Sequence, residues 1–214
     1  MDFIIRKKVG GILFIDISSM DKVPLELRNI VMAVQEGVLI GVHFSDKKMI
    51  SAFLDIVKDN CVELDGIRAK ENLREYKRKV DVLPKEKIES SLSCKEYVYM
   101  YCMLRNEFCN EIGEKFEKRL KELHIEYLSK MKLEELKFGF QVMIRCIADQ
   151  LIGIRLLIAQ NEIFFENSKE ARDLKRVFEQ FKREKGIGLL LSTNRKQLEA
   201  LADVIYDTEN EENK

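Results

Sequence analysis

Tryptophan is missing from the chain, and only 2 prolines and 10 glycines occur in its 214 residues. So few turn-forming residues argue against a loop-rich or all-β fold. Histidine is nearly missing too. With 2 of them, the side chain best suited to proton transfer near neutral pH is scarce, and the options for acid–base chemistry are few. Net charge is also absent, because 37 basic residues balance 37 acidic ones. Nothing global therefore draws the chain to nucleic acid or to an anionic membrane. Long apolar runs are missing as well, none reaching the roughly 18 residues of a spanning helix. The opening Met1-Asp2-Phe3-Ile4-Ile5-Arg6-Lys7-Lys8 sets its apolar residues before its basic ones, the reverse of a signal peptide. A cytoplasmic protein without membrane association is expected.

What is present is charge in both signs, 35% of the chain, beside a hydrophobic fraction of 46%. Long helices with densely solvated outer faces suit that mixture. The length fits one packed domain, or one domain with a small appendage. Five cysteines, Cys61, Cys94, Cys102, Cys109 and Cys146, are odd in number and form no Cys-x-x-Cys pair. They read as reduced thiols that fill core space, not as a disulfide or metal framework.

Texture changes along the chain. Phe3–Ile5 and Ile12–Ile17 read as two short strands around a Gly10-Gly11 turn, the second apolar enough for burial on both faces. Pro24 opens a helical pattern through Glu36, which Gly37 stops. Val38–Phe44 is again a buried strand, and Ser45 or Asp46 can cap a helix running to about Asp59. A small β-α-β-α unit over residues 1–66 is expected, followed by a helical bundle over residues 67–214. The competing reading of 25–43 is one buried helix interrupted by glycines. From Cys94 to Ser129, Tyr97, Tyr101, Leu104, Phe108, Ile112, Phe116, Leu120, Leu123 and Tyr127 recur at steps of three or four. That spacing predicts one long amphipathic helix. Leu133–Phe165 is apolar nearly all round, as a central helix would be, so the two form an antiparallel hairpin. Asn167 with Glu170 opens a third helix, ending near Gly186. The run 186–191 stays open to either reading; as a strand it would join the N-terminal sheet. The fold class expected is thus mostly α, of the α+β kind.

Few residues carry candidate chemistry. Arg119 and His124 stand five apart in Arg-Leu-Lys-Glu-Leu-His. The pair resembles the Arg-x4–6-His motif of HEPN-type ribonucleases, helical bundles dominated by two long helices. That resemblance implies an arginine steadying phosphate charge, a histidine moving a proton, and no metal. It departs from the family at Leu120, where a polar residue is usual. A solvated helix edge is the plainer reading. Asp16 ends a buried run, where a carboxylate can hold Mg²⁺. Its surroundings resemble the first strand of nucleotidyl and diguanylate cyclases, but no Gly-Gly-acid hairpin follows, and Asp46 is the nearby acidic partner. Gln141, Arg145 and Asp149 form one polar line at i, i+4, i+8 on an apolar helix, either a solvent strip or a buried network. There is no Gly-rich phosphate loop, no Walker-type lysine and no nucleophile elbow.

The sequence therefore leads to a non-enzymatic helical module that acts through protein contacts, self-associated or within a larger assembly, with no cofactor. The alternatives are the metal-independent ribonuclease of Arg119 and His124, and a nucleic-acid-binding regulator using basic clusters at 74–79 and 172–185.

Overall fold

The computed structural model describes residues 12–18, 23–24, 27–28, 30–59, 62–107, 110–160 and 168–208. The expected strand at Phe3–Ile5, the Gly10-Gly11 turn, the Asn167 cap, and Cys61 and Cys109 lie outside these residues.

Two sheets organise the molecule. Strands β1 (Ile12–Asp16), β2 (Val31–Gln35), β4 (Val62–Leu64) and β5 (Ile67–Arg68) form an antiparallel sheet in the order β2-β1-β4-β5. The segment expected as a helix from Pro24 to Glu36 instead contains β2. Its burial alternates, with Met32 and Val34 inward and Val31, Ala33 and Gln35 outward, the period-2 signature of a half-buried strand.

The second sheet is fully parallel. Its strands are β3 (Leu39–His43), β6 (Val80–Val82), β7 (Leu156–Gln160), β8 (Ile187–Ser192) and β9 (Val204–Asp207), in the order β6-β7-β8-β3-β9. Helices α1 (Lys47–Asp59) and α2 (Leu73–Lys79) lie between β3 and β6 along the chain. Three more, α3 (Cys94–Leu104), α4 (Ile112–Glu122) and α5 (Phe138–Leu151), separate β6 from β7. Helix α6 (Ser168–Arg183) precedes β8 and α7 (Arg195–Leu201) precedes β9.

Each inner strand is buried on both faces, which is why β7 and β8 are continuous apolar runs. Leu157, Ala159 and Leu190 point to one side, into a core with Tyr97, Phe116, Ile144, Phe178 and Leu198 of the helices. Leu156, Ile158, Leu189 and Leu191 point to the other. There they meet Phe53 and Val57 of α1 and Leu13, Ile15, Val34 and Leu64 of the antiparallel sheet. The sheet thus divides two cores, helices on one side and α1 with the antiparallel sheet on the other.

The mostly helical architecture expected from periodicity is therefore overturned, and three left-handed caps account for much of the difference. The expected helix 94–129 breaks into α3 and α4. After α3, Asn106 takes φ 56° and Glu107 N–H donates to the Cys102 carbonyl. After α4, His124 takes φ 59° and Ile125 N–H donates to the Leu120 carbonyl at 2.9 Å. The expected helix 133–165 stops at Leu151. Gly153 takes φ 77°, Ile154 N–H donates to the Asp149 carbonyl, and the apolar residues beyond become β7. Lys185, at φ 67°, closes α6 in the same way, with Gly186 N–H on the Phe181 carbonyl. In each, a left-handed residue reverses the chain and satisfies a carbonyl that the helix end leaves open. At its other end α3 starts on a capping box, in which Ser93 Oγ accepts from Glu96 N–H and Glu96 accepts from Ser93 N–H.

Candidate functional site

In an open parallel sheet, ligands bind outside the carboxyl ends of the strands, where neighbouring connections leave in opposite directions. Strands β8 and β3 form that switch point here. From β3 the chain runs to β6 at one edge of the sheet, and from β8 it runs past β3 to β9 at the other.

Beyond β3, Phe44 is fully buried. Its N–H donates to the Ser192 carbonyl at 3.0 Å, and its ring packs on Phe53, with centroids 5.4 Å apart. Only Ser45 and Asp46 then separate Phe44 from α1. Asp46 caps that helix. Its Oδ1 accepts from Lys48 N–H at 3.0 Å, and its carbonyl accepts from Met49 N–H at 3.1 Å. Beyond β8, Ser192 Oγ accepts from Asn194 N–H at 2.9 Å. At the edge, Asp207 lies 3.4 Å from His43 Nδ1 and accepts from Arg195 Nη1 at 2.8 Å, and Thr208 N–H and Oγ1–H both donate to the His43 carbonyl. Polar groups at this end of the sheet are thus largely paired with one another.

No protein-family model matches the chain, and no curated protein matches it. Solved structures do. An ABC-transporter ATP-binding protein from Pyrococcus furiosus superposes with TM-score 0.69 at 17% identity, covering 92% of this chain and 97% of that one. A Clostridium perfringens protein described as part of an ABC transporter complex reaches TM-score 0.75 at 12% identity, covering 93% and 85%. A dimeric ATP-binding cassette bound to ADP and phosphate gives TM-score 0.68 at 16% identity, covering 93% and 97%. The chain has the fold of an ATP-binding cassette. At these identities the likeness is one of fold. It overturns the helical interaction module, and with it the helical-bundle ribonuclease and the nucleic-acid regulator, because the centre of the molecule is a parallel α/β sheet.

The cassette fold implies a nucleotide, and the residues present do not fit one. A P-loop has the form G-x-x-x-x-G-K-[ST] between a strand and a helix, its backbone N–H groups cradling the phosphates. Between β3 and α1 this chain offers Phe44, Ser45 and Asp46, and no glycine stands between Gly41 and Gly66. Mg²⁺ in such sites rests on a hydroxyl of the loop and on an acid at the end of a second strand. Here β7 ends in Gln160 and β8 in Ser192. Among the described residues no cluster of three or more metal-ligating side chains exists.

The residues singled out by sequence lie elsewhere. Arg119 holds the helical layer together. Its Nη1 donates to Gln150 Oε1 of α5 at 2.6 Å, its Nη2 to Glu184 beyond α6, and its Nε lies 3.4 Å from Glu122. His124 is exposed in its left-handed cap. The conformation explains the residue, since histidine tolerates positive φ better than most side chains. Glycine would tolerate it better still, so His124→Gly should raise stability by up to about 1 kcal/mol, and His124→Ala should not. Urea denaturation of both variants would show it, and a loss of stability in the glycine variant would refute the capping role. Asp16 accepts from Ser18 N–H and Oγ–H at 3.0 and 2.6 Å, and it ends a strand of the antiparallel sheet, whereas Asp46 follows the parallel one.

The polar line of α5 is inside the protein. Gln141 is fully buried; it accepts from Ile88 N–H at 2.7 Å and donates to the Leu133 carbonyl at 2.7 Å. Asp149 is also fully buried, its Oδ1 accepting from Tyr101 O–H at 2.5 Å and its Oδ2 lying 3.5 Å from Arg145 Nε. Arg145 Nη2 donates to Asp81 Oδ2 of β6 at 2.7 Å, and its guanidinium sits 3.7 Å from the Tyr101 ring centroid. Burial pushes the Asp149 carboxyl well above the usual range, and the Asp81 charge adds to this against the pull of Arg145. Burial and Asp149 likewise raise the Tyr101 hydroxyl. Desolvation opposes the charge on Arg145, yet Asp149 and Asp81 hold it above its ordinary value. This network ties α3 and α5 to edge strand β6. Burial also pushes the Cys94 thiol up to about 12, so it stays protonated and inert.

Proposed function

We propose that the chain serves as a cassette subunit of an ABC-type transport assembly, pairing with a second cassette and docking on a membrane permease. The carrying observation is that two sheets, a helical layer and their chain order together reproduce the cassette over nearly the whole of this chain and of the chains it resembles. One of those relatives is part of a transporter complex and another is dimeric. No helix among the described residues is long and apolar enough to cross a membrane. Contact with a membrane would therefore run through a permease partner, in place of the membrane-free protein expected from sequence.

The test is made on the tagged chain expressed in its native cells. Membranes are washed free of loosely held protein, solubilised in mild detergent and captured through the tag. A stoichiometric complex containing a polytopic membrane protein is the expected result. Recovery of the chain only from the supernatant, free of any such partner, would contradict the proposal.

A further inference from the structure

We infer that the switch-point end of this sheet takes no Mg-ATP, so that nucleotide turnover in the assembly belongs to a second cassette carrying an intact phosphate loop. The identity of that partner rests on the cassette reading above; the missing phosphate grip rests on this chain's own residues.

A helix N-terminus attracts a phosphate through its free N–H groups and the positive end of its dipole. At α1 that place is taken. The Asp46 carboxylate accepts from Lys48 N–H at 3.0 Å, so the anion at the helix start is a side chain of the protein itself. A phosphate entering there would lose one donor and meet a like charge. Encirclement fails next. A P-loop wraps the phosphates because its glycines allow the backbone to come close on several sides. Here three non-glycine residues, Phe44, Ser45 and Asp46, join the strand to the helix, and Phe44 is fully buried with its ring on Phe53. Among the described residues the metal's place is missing as well, since β7 ends in a neutral amide at Gln160. The next acid in sequence, Glu162, lies outside the described residues.

Lys47 and Lys48 are the features that speak for an anion. Both are exposed, and Lys48 spends its backbone N–H on Asp46. Two exposed lysine side chains without a glycine-rich cradle attract a polyphosphate weakly, and salt screens that attraction.

The full-length chain decides the matter in a thermal melt and a calorimetric titration with Mg-ATP, beside Mg-tripolyphosphate. A ligand that binds only the folded state raises Tm according to its concentration over Kd. No rise in Tm and no saturable heat is the expected result. A small rise common to ATP and tripolyphosphate, erased by moderate salt, would also support the inference, as charge attraction to Lys47 and Lys48. One-to-one binding specific to Mg-ATP, with a rise of several degrees that survives salt, would overturn it. The outcome is independent of the membrane capture. A chain inert to Mg-ATP but free of permease would sink the cassette-subunit reading alone, whereas an ATP-binding chain held by a permease would sink only this inference.

Discussion

Arg145→Met is expected to cost about 3–5 kcal/mol of folding stability, the loss that follows when one partner of a buried ionic network is removed. Methionine fills much of the same volume, so the effect is electrostatic. Asp149, fully buried, would keep its bond from Tyr101 O–H but lose the only cation within 4 Å of it among the described residues. Asp81 would lose the 2.7 Å bond and keep the looser Arg105 guanidinium at 3.9 Å. Asp149→Asn should cost less, because an amide oxygen can still accept from Tyr101 and the buried charge is gone. Equilibrium urea denaturation of the two variants measures the difference. A cost below about 1 kcal/mol for Arg145→Met would mean that its guanidinium faces water, as exposed ion pairs contribute little.

The second large effect concerns β7. Leu157→Ala and Ile158→Ala are each expected to cost about 2–5 kcal/mol, the range for emptying a close-packed site. Their side chains enter different cores. Leu157 packs with the helices, and Ile158 packs with α1 and the antiparallel sheet. Adjacent residues of a half-exposed strand would instead split into one costly and one nearly neutral substitution. Because the two sites share a strand but not a core, their losses should add to within about 0.5 kcal/mol in the double variant. A neutral effect of either one would remove β7 from the interior of the sheet.

Parts of this fold are legible in the sequence and parts are not, for reasons that particular residues show. The run Val38–Phe44, β-branched and bounded by Gly37 and the Ser45-Asp46 cap, has the composition of a buried strand, and β3 occupies it. The run Ile154–Ile158 has the same character, but a continuous apolar stretch looks alike on a buried strand and a buried helix. Gly153 is the residue that separates the two, through the positive φ that ends α5. At the other three caps the left-handed residue is asparagine, histidine or lysine. Without glycine to mark the stop at Asn106 and His124, helical periodicity on both sides joins into one apparent helix, whereas Gly186 beside Lys185 marks the end of α6. That is how Arg119 and His124 come to be read on one long helix, when His124 is the residue that ends it.

The candidate site was half legible. The lack of a phosphate loop and the capping role open to Asp46 can be read from the residues alone. Their shared significance cannot, because it depends on β8 lying between β7 and β3 and making the end of β3 a switch point. Pairings between strands more than a hundred residues apart leave no local trace in the sequence. The same holds for Asp81, which lies in edge strand β6 and reaches Arg145 across 64 residues of sequence.

Hydrogen–deuterium exchange followed by mass spectrometry tests the parallel sheet most directly. Amides of 156–160 and 187–192, which belong to the inner strands β7 and β8, should be the slowest in the chain, opening only when the whole protein unfolds. Exchange of both segments as fast as that of exposed helix ends, with the slowest amides confined to α3, α4 and α5, would contradict the cassette and restore a helical core.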